Sequence, residues 1–168
     1  MRIVNVFLVG VIVSAATLVG PLEARADRAS SYYHQAMAFK KQRRFPQAIQ
    51  ALKKALAERS DYAAAHRSIG ILYRKVRRYN DAIRHLARAA QLQPKSGDVY
   101  YSLGLAYHAA GRKQEALAAL AKAAKYKPKD AAVLAQYGVM LIRSDPAKAL
   151  GVLHKAVKLK PQSGDHLH

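Results

Sequence analysis

The chain has 168 residues and a mass of 18.5 kDa, with 29 Lys and Arg against 10 Asp and Glu, a formal net charge of +19 and no Cys. The lack of Cys excludes a disulfide framework, a zinc ribbon and a thiol nucleophile, and 51% hydrophobic residues exclude a disordered basic tail. The cation excess predicts an anionic partner or surface and fixes no fold. At the N-terminus, residues 3–20 are an apolar run, preceded by Arg2 and followed by Pro21 and the small-residue pattern Ala24-Arg25-Ala26. These are the parts of a secretory signal peptide, 1–26, cleaved before Asp27; the competing reading is a retained inner-membrane anchor. Residues 1–26 hold only Arg2, Glu23 and Arg25 as charged groups, so the positive charge belongs to the remainder. Export without Cys fits a bacterial periplasm or a secreted bacterial protein.

From residue 29 onward the chain repeats itself every 34 residues. Tyr100, Leu103, Gly104, Tyr107, Ala116, Leu120, Ala123 and Pro128 have counterparts at His66, Ile69, Gly70, Tyr73, Ala82, Leu86, Ala89 and Pro94. A worn set precedes them at Tyr32, Gln35, Ala36, Phe39, Ala48, Leu52, Ala55 and Ser60. A fourth follows at Leu134, Tyr137, Gly138, Leu141, Ala149, Leu153, Ala156 and Pro161, with one residue missing between Leu141 and Ala149. The apolar spacing predicts helices over 29–42, 46–58, 63–76, 80–92, 97–110, 113–126, 131–143 and 146–158, with no competing strand pattern. Small residues facing large ones let antiparallel helices pack closely. Pro94, Pro128 and Pro161 end second helices, Ser96 and Asp130 stand as N-caps, and Asp145-Pro146 is a cap followed by proline at the first helical position.

This pattern is similar to that of the tetratricopeptide repeat, W-x2-L-G-x2-Y, A-x3-F, P. No copy has the Trp, and the first has Gln35-Ala36 and Ser60 where the pattern wants Leu-Gly and Pro. The resemblance spans 29–161. It implies an all-α solenoid of about four helix-turn-helix repeats (29–62, 63–96, 97–130, 131–161) in a domain over 27–161 with a tail at 162–168. It also implies a right-handed superhelix whose concave groove, built from the first helix of each repeat, holds a ligand. Some members of the family grip a chaperone's C-terminal carboxylate with Asn and Lys. The comparable positions here, Met37, Ser68, Asp98 and Ser102, lack the Asn and include a repelling carboxylate, so that role is not expected.

Counting helical turns from the small residues gives the groove candidates. They are Tyr33, Met37 and Lys41; Arg67, Ile71 and Lys75; Tyr101, Leu105 and His108; and Ala135, Val139 and Arg143. Met37, Ile71, Leu105 and Val139 form an apolar stripe, flanked by the Tyr and Arg that dominate binding hot spots. The plain alternative is burial of the stripe by the neighbouring repeat. Cations cluster at the turn inside each repeat: Lys40, Lys41, Arg43 and Arg44; Arg74, Lys75, Arg77 and Arg78; Arg112 and Lys113; Arg143. Helix dipoles account for one or two cations per turn, not for four within five residues. Stacked turns would align them as a basic ridge along one edge. At the C-terminus, Gln162 to His166 mimics Lys95 to Val99, and Leu150, Leu153, Val157 and Leu159 lack part of their cover. That end is expected either to fray or to dock a second copy or a partner.

No phosphate-binding loop, dinucleotide loop or nucleophile elbow occurs, and the acidic residues are scattered singly. The seven His share no ligand spacing on a helix face, His66 sits at a packing position, and His166 and His168 fall in the tail. Neither a metal, a cofactor nor an enzyme is expected. The sequence therefore reads as an exported, non-enzymatic scaffold that binds a protein or peptide, acidic in character, through the groove. The alternative is a binder of anionic polysaccharide or of a membrane or lipopolysaccharide surface. The export signal and the lack of recognition motifs argue against nucleic acid.

Overall fold

The structure is a computed structural model that describes residues 21–159; the apolar run at 3–20 and the tail at 162–168 lie outside the described residues. Within them the chain forms α1 (Pro21–Lys41), α2 (Phe45–Glu58), α3 (Ala63–Lys75), α4 (Tyr79–Leu92), α5 (Gly97–Ala109), α6 (Lys113–Tyr126), α7 (Ala131–Leu141) and α8 (Pro146–Leu159), with no strand among the described residues. Odd and even helices pair as hairpins across short turns, and each even helix also packs on the next odd one. The result is an α-solenoid of helix pairs whose core runs along the stack. None of the described helices is long and apolar enough to cross a membrane.

The small-facing-large rule holds each pair together. A Cβ placed on Gly70, Gly104 or Gly138 would lie 2.6, 2.7 or 2.6 Å from the Cγ of Leu86, Leu120 or Leu153. Ala36 takes that place in the first pair and is fully buried, as are Leu52, Leu86 and Leu120.

The helix bounds fall close to those expected, with one departure. α1 is already helical at Pro21, the first described residue, ahead of the expected start near 29, and Ala24-Arg25-Ala26 lies within it. The early turns are fastened to the end of α2, where Arg25 and Arg28 lie 3.9 and 3.0 Å from Glu58. Asp130 caps α7 by accepting from the N–H groups of Ala132 and Val133 at 3.0 and 3.1 Å. Asp145 caps α8 through the Lys148 N–H at 3.0 Å. Ser96 occupies the N-cap position of α5, but its hydroxyl makes no capping bond.

The two ends of the stack differ. In α3 and α5 the face turned to the preceding pair is Ala65, Ile69 and Leu72, then Val99, Leu103 and Ala106, all buried. Its counterpart on α1 is Ser31, Gln35 and Ala38, all exposed. Gln35 departs from the repeat pattern because no described pair stacks on that face. At the other end, Leu150 is 72% exposed although Ile49 and Ile83, in the same register, are 8% exposed. Val157 is likewise 68% exposed.

Candidate functional site

The three turns α1–α2, α3–α4 and α5–α6 are built alike. Arg44, Arg78 and Arg112 each donate a backbone N–H to the carbonyl five residues back, on Phe39, Tyr73 and Tyr107, at 2.9, 2.8 and 2.9 Å. Arg43, Arg77 and Gly111 donate to Lys40, Arg74 and His108 at 3.0, 3.1 and 3.0 Å. This double closure satisfies the last helical carbonyls and requires a left-handed residue, supplied here by Arg43, Arg77 and Gly111 at φ 59°, 61° and 77°. The α7–α8 turn lacks this motif. The missing residue of the fourth repeat falls there, and Asp145 donates its N–H to Leu141 instead, at 2.8 Å.

Each turn also stacks a guanidinium on an aromatic ring. Arg44, Arg78 and Arg112 lie 4.9, 4.8 and 4.8 Å from the ring centroids of Phe39, Tyr73 and Tyr107. Two of these cations are neutralised three residues on. Arg78 donates to Asp81 at 2.7 Å, and Arg112 pairs with Glu115, holding that carboxyl below its usual range. In the first turn Gln47 stands where the acid would be. Among the described residues, Lys40, Lys41, Arg43, Arg44, Arg74, Lys75 and Arg77 form no ion pair. The uncompensated charge therefore concentrates in the first two turns, and Lys113 and Arg143 follow more sparsely.

The groove candidates divide. Tyr33 is half-buried; its hydroxyl lies 3.4 Å from Ser68 Oγ, and its ring lies 5.2 Å from that of Tyr62. Met37 packs on the main core and Tyr101 on the smaller one. Arg67, Ile71 and Leu105 are half-buried, whereas Lys41, Lys75 and His108 are exposed. Of the apolar stripe only Val139 is open, at 54% exposure. Met37, Ile71 and Leu105 are thus partly covered. Ser68 and Ser102 are buried and Asp98 pairs with Lys127 at 2.8 Å, so these positions present no carboxylate clamp.

The structure brings His108, Val139 and Arg143 together with Lys113 around a cleft of about 350 Å³ between the α5–α6 turn and the end of α7. Leu117, Met140, Gln114 and Ser144 complete its walls. Leu117, Val139 and Met140 give an apolar floor, and His108, Lys113 and Arg143 a basic rim. Sequence reasoning missed Leu117 and Met140. Leu117 shares the register of Ile49 and Ile83, which face the next pair, and that was the available signal. Volume and lining suit one large apolar side chain beside carboxylates.

Elsewhere, His66 is half-buried between α3 and α4. Its Nε2–H donates to the Ser60 carbonyl at 3.0 Å, so its neutral Nδ1 accepts from His85 Nδ1–H, also at 3.0 Å. Burial, then the neighbouring His66, push His85 down to about 4, and burial lowers His66 as well. Among the described residues no group of three or more His, Cys, Asp or Glu is placed to hold a metal ion.

No curated protein matches the chain. Solved structures do. MamA aligns with a TM-score of 0.74 at 24% identity, covering 82% of this chain and 81% of that one. Pseudomonas aeruginosa PilF gives 0.74 at 21% identity, over 80% of this chain and 62% of that one. YrrB, described as a TPR protein with an unusual peptide-binding site, gives 0.70 at 22% identity, over 84% and 72%. At these identities the likeness is one of fold. The tetratricopeptide repeat family model matches residues 33–75 and 68–132, more than half of the chain. With its repeated helix pairs and its small-facing-large packing, the chain belongs to the tetratricopeptide repeat family.

Proposed function

We propose that this protein is a non-enzymatic scaffold that holds a segment of a protein partner along the face of α1, α3, α5 and α7. An apolar side chain of the partner enters the cleft at Leu117, Val139 and Met140, and its acidic groups face His108, Lys113 and Arg143. The observation that carries this reading is the juxtaposition of an open apolar floor and a basic rim in one cleft. Family membership supports it, as does the peptide-binding site described for YrrB. Residues 1–26 serve as the export signal and 27–161 as the binding domain, placing the protein in the periplasm or outside the cell. Removal of 1–26 leaves the Arg28–Glu58 pair intact.

The test is crosslinked capture of the partner by the native chain and by Val139→Glu and Arg143→Ala. Both side chains are exposed, so the variants are expected to fold. Each should lose most of the captured partner, and equal capture by both would refute the cleft. The N-terminal residue of the exported protein, expected to be Asp27, checks the export reading. The second reading, an anionic polysaccharide or membrane surface as ligand, would engage the unpaired cations of the first two turns and not the cleft. It predicts binding that collapses with salt and is indifferent to Val139→Glu.

A further inference from the structure

The left-handed turn residue is glycine in the third helix pair and arginine in the first two. In this backbone region a Cβ crowds the following carbonyl, so glycine costs the turn least. Gly111 shows that this chain uses glycine in the same hydrogen-bonded motif. Two arginines at matching positions of consecutive pairs break a local rule twice in the same way. Packing does not explain them, because both side chains are exposed. Arg43 makes no side-chain hydrogen bond or ion pair among the described residues, and Arg77 reaches only the Tyr79 hydroxyl, at 3.3 Å. The helix dipole does not require them either, since Lys40, Lys41, Arg74 and Lys75 already occupy the last turns. Strain held against local preference at an exposed position, twice at the same place in the repeat, points to the side chain's own role.

We propose that Arg43 and Arg77 form a two-turn site for the carboxylates of an acidic protein segment. A guanidinium presents a planar fork of donors that meets a carboxylate through two hydrogen bonds. The unpaired Lys40, Lys41, Arg44, Arg74 and Lys75 raise the positive potential around both forks. The extent of the patch favours a segment over a flat lipid surface. Uncompensated charge is concentrated in two adjacent turns, and Glu115 offsets Arg112 in the third. A membrane entered by residues 3–20 would also lie at the wrong end, because α1 separates Pro21 from Arg43 by roughly 30 Å. The inference rests on the scaffold reading for the partner's being a protein. The cleft variants leave both arginines in place, so the two readings fail separately.

The test is fluorescence anisotropy with a labelled polyglutamate peptide at low salt, with polyglutamine as control. The native chain should bind polyglutamate and not polyglutamine. The double variant Arg43→Gly/Arg77→Gly should lose roughly tenfold or more in affinity while its melting temperature rises by a few degrees. Lys125→Ala/Lys129→Ala makes the same change in net charge on the opposite edge and should stay within about twofold of native. Undiminished binding by the glycine variant overturns the site, as does an equal loss in the lysine control. A fall in the glycine variant's melting temperature overturns the strain on which it rests. Binding to phosphatidylglycerol vesicles without binding to polyglutamate transfers the ridge to a lipid surface and overturns the acidic segment.

Discussion

Arg43 and Arg77, held at φ 59° and 61°, are individually unfavourable turn residues, and the effect can be weighed one at a time. Arg43→Gly and Arg77→Gly should each raise the stability measured by urea unfolding by about 1 kcal/mol. A second residue-scale effect lies in the His66–His85 pair. Both rings favour the neutral form when folded, His85 with a value near 4 against an unfolded reference of about 6.5. The unfolded chain therefore binds more protons in that window. The pair's contribution is complete above about pH 6.5 and is lost as pH falls through about 4. Arg84 and Lys53 add to the cost of charging His85, Asp81 reduces it, and Arg88 acts on His66. Allowing for the partial exposure of both rings, the loss should be about 1–2 kcal/mol. His85→Phe, which keeps the ring stacked on Tyr73, should flatten the acid limb of a stability–pH profile. Neither residue effect was legible beforehand. The cation clusters were visible, but the left-handed backbone under two of them, and the bond between histidines 19 positions apart, depend on how the chain turns.

The helices themselves were legible, because the alternation of small and large residues is written along the chain. Glycines show how far that reading extends. Gly104 sits against Leu120, where a Cβ would lie 2.7 Å from Cγ; Gly104→Val should therefore cost about 2–3 kcal/mol by thermal or chemical unfolding. Gly151 in α8 has nothing within 4 Å of an added Cβ, and its counterparts Gln50, Arg84 and Ala118 are all exposed. Gly151→Ala should raise stability by about 0.5–1 kcal/mol through helix propensity alone. The start of α1 was the element misjudged. Residues 21–26 carry the small-residue pattern of a cleavage site, and local pattern does not reveal that Arg25 and Arg28 reach Glu58 across the hairpin. Ser96 was misjudged in part, being correctly placed at the N-cap but without the capping bond.

For the whole molecule, the asymmetry of its ends limits how copies can associate. Head-to-tail stacking would press the exposed Leu150 and Val157 against Ser31 and Gln35, an apolar face on a polar one, between two strongly basic chains. Sedimentation over a wide concentration range should therefore show no open-ended polymer; any association should stop at a dimer through α8 and be removed by Leu150→Glu. Continued growth with concentration would contradict this. Fold class and helix register followed from the amino-acid order alone, because a repeat spaced along the chain is a one-dimensional property and each pair packs mainly on its own small and large residues. The tertiary structure decided which of those residues remain available. Met37 and Leu105 are half-covered while Val139 stays open, Asp81 and Glu115 neutralise two of the stacked arginines and leave Arg44 unpaired, and Leu117 meets Met140 across two helix pairs to floor a cleft. Exposure, charge compensation and cavities are sums over neighbours from different helix pairs, which only the packed stack brings together.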